Sequence, residues 1–222
     1  MSTLPEVVKM PAEELARLRE KIRALPKVEL HRHLEGSLRF STLCYYYCTD
    51  VLKIPAAIVI DELAARAKGE TTESKADQDS DRARIPPQDQ LVEAVTQYFC
   101  VAKPTDSLTA FLKKFEHTQA LFRTYELVER MAYECVEDSY NEGTRVLEIR
   151  YSPTYIRGGN PELKLDEIHA AVLRGINRAQ EKYPMAVGLI GIMDRHCEPE
   201  VVQEVGDGRT YVRFCCRLCR II

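Results

Sequence analysis

The chain of 222 residues has no run of roughly 18 consecutive apolar residues, the length a membrane-spanning helix needs. It also has no excess of charge of either sign. With 31 basic and 34 acidic residues the net charge is −3, which gives no bulk electrostatic reason to bind nucleic acid or an anionic membrane. The segment Met1 to Met10 lacks the basic region, apolar core and small-residue cleavage site of a secretory signal. Together these absences predict a soluble, cytoplasmic protein whose partners are small molecules, and they leave the oligomeric state open.

Cysteine, by contrast, is plentiful, at positions 44, 48, 100, 135, 197, 215, 216 and 219. Without a secretory signal these read as thiols and not as a disulfide framework. The first five, spread through helical and strand-like segments, are expected to be buried small hydrophobes. An apolar content of 45% is enough for a sizeable core.

Periodicity then organises the chain. Leu15, Leu18, Ile22 and Leu25 recur at helical spacing over residues 11–25, with Pro11 and two glutamates suited to a first turn. Pro26 stops that helix, and Lys27 to His33 reads as a strand with Val28 and Leu30 on one face and Glu29, His31 and His33 on the other. Helical stretches are predicted at 38–52 and near 55–68. Residues 69–90 are dense in charge and nearly free of large apolar side chains, so a mobile, solvated loop is expected. From Leu91 to Asn141 the pattern is helical throughout, and its stripes, including Leu108, Phe111, Leu112 and Phe115, read as core-packing residues. Arg145 to Pro153 predicts a second strand, Gly158-Gly159-Asn160 a loop, Leu165 to Tyr183 a helix, and Ala186 to Met193 an almost wholly apolar third strand of the kind found in buried parallel sheets.

Strand, long helical excursion, strand, helix, strand is the grammar of an α/β fold with right-handed crossovers. The segment Leu30-His31-Arg32-His33-Leu34-Glu35-Gly36-Ser37 closes the first strand. Side chains two apart on a strand share a face, so His31 and His33 can aim both imidazoles at one metal ion. A His-x-His at the C-terminal end of a strand suits a (β/α)8 barrel, whose sites gather at that end. Such barrels take about 250 residues and eight strands, so about three strands plus a helical insertion predict an incomplete one.

Pro26-Lys-Val-Glu-Leu-His-Arg-His-Leu-Glu-Gly36 resembles the opening strand of the adenosine deaminase family of metal-dependent hydrolases. Leu108 to Phe115, Met131-Ala-Tyr-Glu134, Val146 to Pro153 and Ile192 to His196 are similar to later segments of that family, in family order. The resemblance, over roughly residues 25–205, implies a zinc-dependent enzyme that replaces the 6-amino group of adenosine or adenine with oxygen and releases ammonia. Zinc lowers the pKa of water in that chemistry, and a glutamate handles the proton at N1. It implies that His31 and His33 are the first two zinc ligands and that Glu35 meets the substrate. Glu35 stands where adenosine-specific members carry Asp against the ribose, whereas a Leu-Glu-Gly form also occurs in adenine-deaminating relatives, so nucleoside and free base both remain open.

Glu148, Arg150, Tyr151 and Ser152 are read either as approaching the site or as a buried ion pair of the barrel. Arg195 and His196 resemble a family pair of structural role, and His117 and His169 read as packing or surface residues. The family's third zinc histidine, its His-Ala-Gly-Glu motif with the proton-shuttling glutamate, its Ser-His and its closing Asp-Asp do not occur in the sequence, so no catalytic residue is identified. An N-terminal barrel part is expected over 1–205. The segment 206–222, with four arginines and Cys215, Cys216 and Cys219, reads as an atypical tail of splice or frameshift origin and only weakly as a thiolate metal site. The competing expectation is an inactive half-barrel that binds metal weakly.

Overall fold

A computed structural model describes residues 10–70, 80–105, 107–193, 197–200 and 203. The 206–222 segment with its three cysteines, and the Arg195–His196 pair, lie outside the described residues.

Three strands carry the architecture. β1 (Lys27–His33), β2 (Thr144–Tyr151) and β3 (Ala186–Gly191) form a parallel sheet in the order β1-β2-β3. The α/β grammar expected from the sequence is therefore present. Between β1 and β2 run α2 (Phe40–Tyr46), continued by a π-helical turn over Tyr47–Val51, then α3 (Ala56–Ala67), α4 (Gln88–Phe99), α5 (Leu108–Gln119) and α6 (Tyr125–Asn141). A short α7 (Pro153–Gly159) and a long α8 (Leu165–Lys182) link β2 to β3, and α1 (Ala12–Ala24) precedes β1.

The helical run expected over 91–141 is in fact three helices. Pro104 cannot donate a helical hydrogen bond, and each restart has a capping side chain. Ser107 accepts from the Ala110 N–H at the start of α5, and Thr124 accepts from the Leu127 N–H at the start of α6. The Gly158–Asn160 loop is likewise partly helix, because Ser152 caps α7 and Pro153 opens it. Of the loop expected over 69–90, the part from Arg82 onward is anchored: Glu62, almost wholly buried, pairs with Arg66 and Arg82 at 2.7 Å each, and Ile85 enters the core.

The core lies where α6 and α8 cover the sheet. Leu147, Ile149 and Tyr151 of β2 and Val187 and Leu189 of β3 are buried, as are Val128, Met131, Ala132 and Cys135 of α6 and Ile168, Ala171, Val172 and Ile176 of α8. Each large aliphatic side chain so buried contributes about 1.5–3 kcal/mol. Gly175 lets the two helices touch, since a Cβ there would lie 2.2 Å from the Glu129 carbonyl oxygen.

Alternate residues of the sheet do not share that burial: Val28, Leu30 and Val146 are exposed. α1 forms as expected, yet none of its residues is buried. Cys44, Cys48 and Cys135 are buried thiols, whereas Cys100 and Cys197 are only half-buried, which departs from the expectation for all five. Among the described residues no helix is long and apolar enough to cross a membrane.

Candidate functional site

The end of β1 does not run as a regular strand. Glu29 pairs with Leu147 and Arg32 with Ile149, so Leu30 and His31 together stand opposite Glu148 alone. That two-against-one mismatch is a β-bulge, a device that re-aims side chains. It breaks the strict alternation expected from the sequence: Leu30 and His31 are neighbours and both exposed, while Arg32 turns toward α6 and donates to Ser139 at 2.6 Å.

The imidazoles of His31 and His33 nevertheless converge, with ring centroids 5.3 Å apart and planes tilted by 34°. Two imidazoles sharing one tetrahedral zinc, at ordinary Zn–N lengths, stand roughly 5 Å apart between centroids. The observed spacing fits that arrangement. Burial, reinforced by His31 and by the Arg150 guanidinium, holds His33 below its ordinary pKa, so the neutral ring with a free lone pair is favoured. Among the described residues no group of three or more His, Cys, Asp or Glu is placed to hold a metal. The pair can thus supply two ligands of a site that needs more.

Immediately after the pair, a 3-10 turn over Leu34–Gly36 carries Glu35 inward. Glu35 is almost wholly buried; its Oε1 accepts the Ser152 N–H at 2.6 Å, and Oε2 has no partner. Desolvation pushes its carboxyl up to about 7, against the opposing effect of hydrogen bonds from backbone N–H groups and from Gln119. A carboxyl in that state either donates or accepts a hydrogen bond near neutral pH.

Glu35 lines a cavity of about 310 Å³ together with Leu38, Phe40, Phe99, Phe111 and Phe115, among others. That volume lies at the small end of the range for ligand pockets. Phe115 also meets the His33 ring edge-on at 5.8 Å. The stripe on α5, expected to be core, instead borders this cavity, and Leu108 and Leu112 are exposed. Periodicity marks such a stripe as apolar but does not say whether a neighbour or a ligand covers it; Gln119, on the same helix, carried no sequence signal.

Glu148 and Arg150 form an ion pair at 2.9 Å, and each is about a quarter exposed. Tyr151 points the other way, into the helical layer, where its hydroxyl meets His169 Nδ1 at 2.6 Å. His117 packs on the Tyr98 ring at 4.4 Å. His169 therefore serves packing, and His117 is a surface residue stacked on Tyr98.

A family model described as adenosine deaminase matches residues 74–214. The adenosine deaminase of Vibrio atlanticus is 30% identical over 190 residues, covering 85% of this chain and 46% of that protein. Among solved structures, an Arabidopsis N6-mAMP deaminase is 25% identical, with a TM-score of 0.54 over 85% of this chain and 47% of that one. An amidohydrolase from Burkholderia ambifaria with bound zinc is 23% identical and matches in fold, with a TM-score of 0.54 over 90% of this chain and 44% of the other. These likenesses bear out the barrel-type α/β fold. The chain spans less than half the length of each of these relatives.

Proposed function

Because this chain belongs to the adenosine deaminase family, we propose that it carries the N-terminal half of a zinc-dependent site for hydrolytic removal of the 6-amino group from adenosine or adenine. One observation carries this reading: His31 and His33 converge at the C-terminal end of β1, next to a cavity lined by aromatic side chains and by Glu35, whose buried Oε2 has no hydrogen-bond partner.

His31 and His33 would hold the ion. When bound, zinc supplies the activation of a water molecule at neutral pH. Glu35 orients the substrate, because its carboxyl, pushed up to about 7, can give a hydrogen bond to a ring nitrogen or share one with a ribose hydroxyl. Phe111 and Phe115 provide an apolar wall for a flat purine and exclude water from it. A glutamate serving the proton at N1 is not assigned to any residue of this chain.

The test is ammonia release from adenosine and adenine, and methylamine release from N6-methyl-AMP, by the zinc-loaded 222-residue protein. Turnover that disappears in His31→Ala supports the reading. A second reading, a metal-binding half-barrel without turnover, is favoured by the exposure of Val28, Leu30 and Val146 and by the missing third ligand among the described residues. Folded, zinc-bound protein that releases neither ammonia nor methylamine supports it.

A further inference from the structure

The bulge at the end of β1 leaves backbone groups without their ladder partners, and two side chains take them up. The His31 N–H donates to Glu29 Oε1 at 2.9 Å. The Leu30 carbonyl accepts from Arg150 Nη2 at 3.1 Å, and the same nitrogen donates to Glu148 Oε1 at 2.9 Å, the residue that faces the bulge. Arg150 is paired with His33 in the register of β1 and β2. Its Nε, buried and without a partner, shows that the guanidinium is not placed to satisfy its own donors.

We propose that Glu29 and Arg150 are positioning residues for the metal pair, stapling the Leu30–His31 bulge so that the His31 and His33 imidazoles are held together on the face of the sheet opposite α6, where they can share one ion. The proposal rests on the reading of those histidines as zinc ligands. Its physical basis is that a bulge is a costly irregularity, with unpaired backbone groups that favour its collapse into a regular ladder. Collapse would slip the end of β1 by one residue, pairing His31 with Ile149 and His33 with Tyr151, and so turn both rings to the helix-covered face of the sheet. A hydrogen bond on each side of the bulged peptide opposes that. Groups that orient metal ligands from behind typically contribute about ten- to a hundredfold in metal affinity.

The sign of the effect distinguishes stapling from simple charge. Arg150 is a cation beside a cation site, so if charge were its whole influence, Arg150→Met would tighten zinc binding. Glu29 is an anion, so by charge alone Glu29→Gln and Glu29→Ala would weaken binding equally. Stapling predicts the opposite pattern, because the Gln amide oxygen still accepts the His31 N–H whereas Ala does not.

The experiment is zinc titration of the full chain by calorimetry, with amide hydrogen exchange at His31 read in the metal-free protein. We expect Arg150→Met and Glu29→Ala each to weaken zinc binding about tenfold, and Glu29→Gln to stay within about twofold of the parent. Exchange at the His31 amide should accelerate in Glu29→Ala and not in Glu29→Gln. Tighter or unchanged binding in Arg150→Met, or equal losses in both Glu29 variants, overturns the proposal. Should Arg150→Met not fold, the Glu29 pair and the exchange measurement decide. Zinc binding that survives His31→Ala removes the underlying reading, and the proposal with it; binding that needs His31 but ignores Glu29 and Arg150 removes the proposal alone.

Discussion

The backbone N–H of Ser152 donates to the carboxyl of Glu35 at 2.6 Å across a separation of 117 residues. This bond ties the turn after β1 to the turn after β2.

Glu35→Ala should therefore lower stability by about 1–3 kcal/mol, because it leaves a buried donor without an acceptor and removes a buried side chain. Glu35→Gln keeps an acceptor oxygen and should cost less. Urea unfolding of the two variants checks this, and equal losses would mean that the Ser152 bond contributes nothing.

Close approach of α6 and α8 gives a second expectation. A Cβ at Gly175 would meet the Glu129 carbonyl oxygen at 2.2 Å and the Ala132 Cβ at 2.9 Å. Both atoms belong to a packed helix that cannot yield locally, so Gly175→Ala should destabilise by about 1–3 kcal/mol. Gly158, also helical, has nothing within 4 Å of the added atom. Gly158→Ala should be neutral or stabilising by about 0.5–1 kcal/mol, through helix propensity. Thermal melts of the two variants should move in opposite directions.

How far the sequence could be read follows from what kind of interaction sets each feature. All three strands and α1, α3 and α8 lie where periodicity, Pro26 and the flanking glycines put them, since those signals are local. The breaks inside 91–141 were marked by Pro104, Ser107 and Thr124, yet a continuing apolar repeat hid them. The convergence of His31 and His33 was legible from their spacing, but the bulge beneath them was not, because a bulge depends on the register of β1 against β2. Likewise, Glu35 stood out as an acid beside a glycine turn, while its burial depends on distant Ser152 and Gln119. The α5 stripe illustrates the limit most directly: Phe111 and Phe115 are apolar for a cavity and not for the core.

His169 carries a pH dependence. Burial holds its pKa below the ordinary histidine value. The unfolded chain then binds a proton that the folded chain resists, so this group's contribution is intact above about pH 6.5 and declines as pH falls below it. Replacing it with Gln removes the titration but keeps a polar partner for the Tyr151 hydroxyl. Unfolding free energy measured from pH 7 down to about 5 should fall less steeply in His169→Gln than in the parent. Identical slopes would show that His169 is not coupled to folding.

Glu62 joins two arginines from different segments, Arg66 on α3 and Arg82 beyond it. Removing a buried partner strands the opposing charges, which typically costs about 3–5 kcal/mol, more than the pair itself is worth. A second partner for Arg66, whose Nη1 also donates to the Pro86 carbonyl at 2.8 Å, should soften this. Glu62→Ala is thus expected to destabilise by about 2–4 kcal/mol, and to loosen the Arg82–Pro86 segment. Limited proteolysis there should accelerate in step with the stability loss. Faster cleavage without lower stability would show that the segment opens independently of α3.

If His31 and His33 hold zinc as proposed, that binding should be coupled to folding, because the converging geometry exists only when β1 is in the sheet. A ligand that binds the native state alone adds about 2.7 kcal/mol when present at a hundred times its Kd. Saturating zinc should accordingly raise the melting temperature, and a chelator should reverse the rise. Either His31→Ala or His33→Ala leaves one imidazole, which cannot hold the ion against water at the same concentration, so each should abolish the zinc-dependent part of the stability while leaving the metal-free melt nearly unchanged. His117→Ala serves as the control, since that exposed ring packs on Tyr98: it should lower the metal-free melt slightly and retain the full zinc response. A zinc response that persists in both His31→Ala and His33→Ala would locate the binding groups elsewhere in the chain.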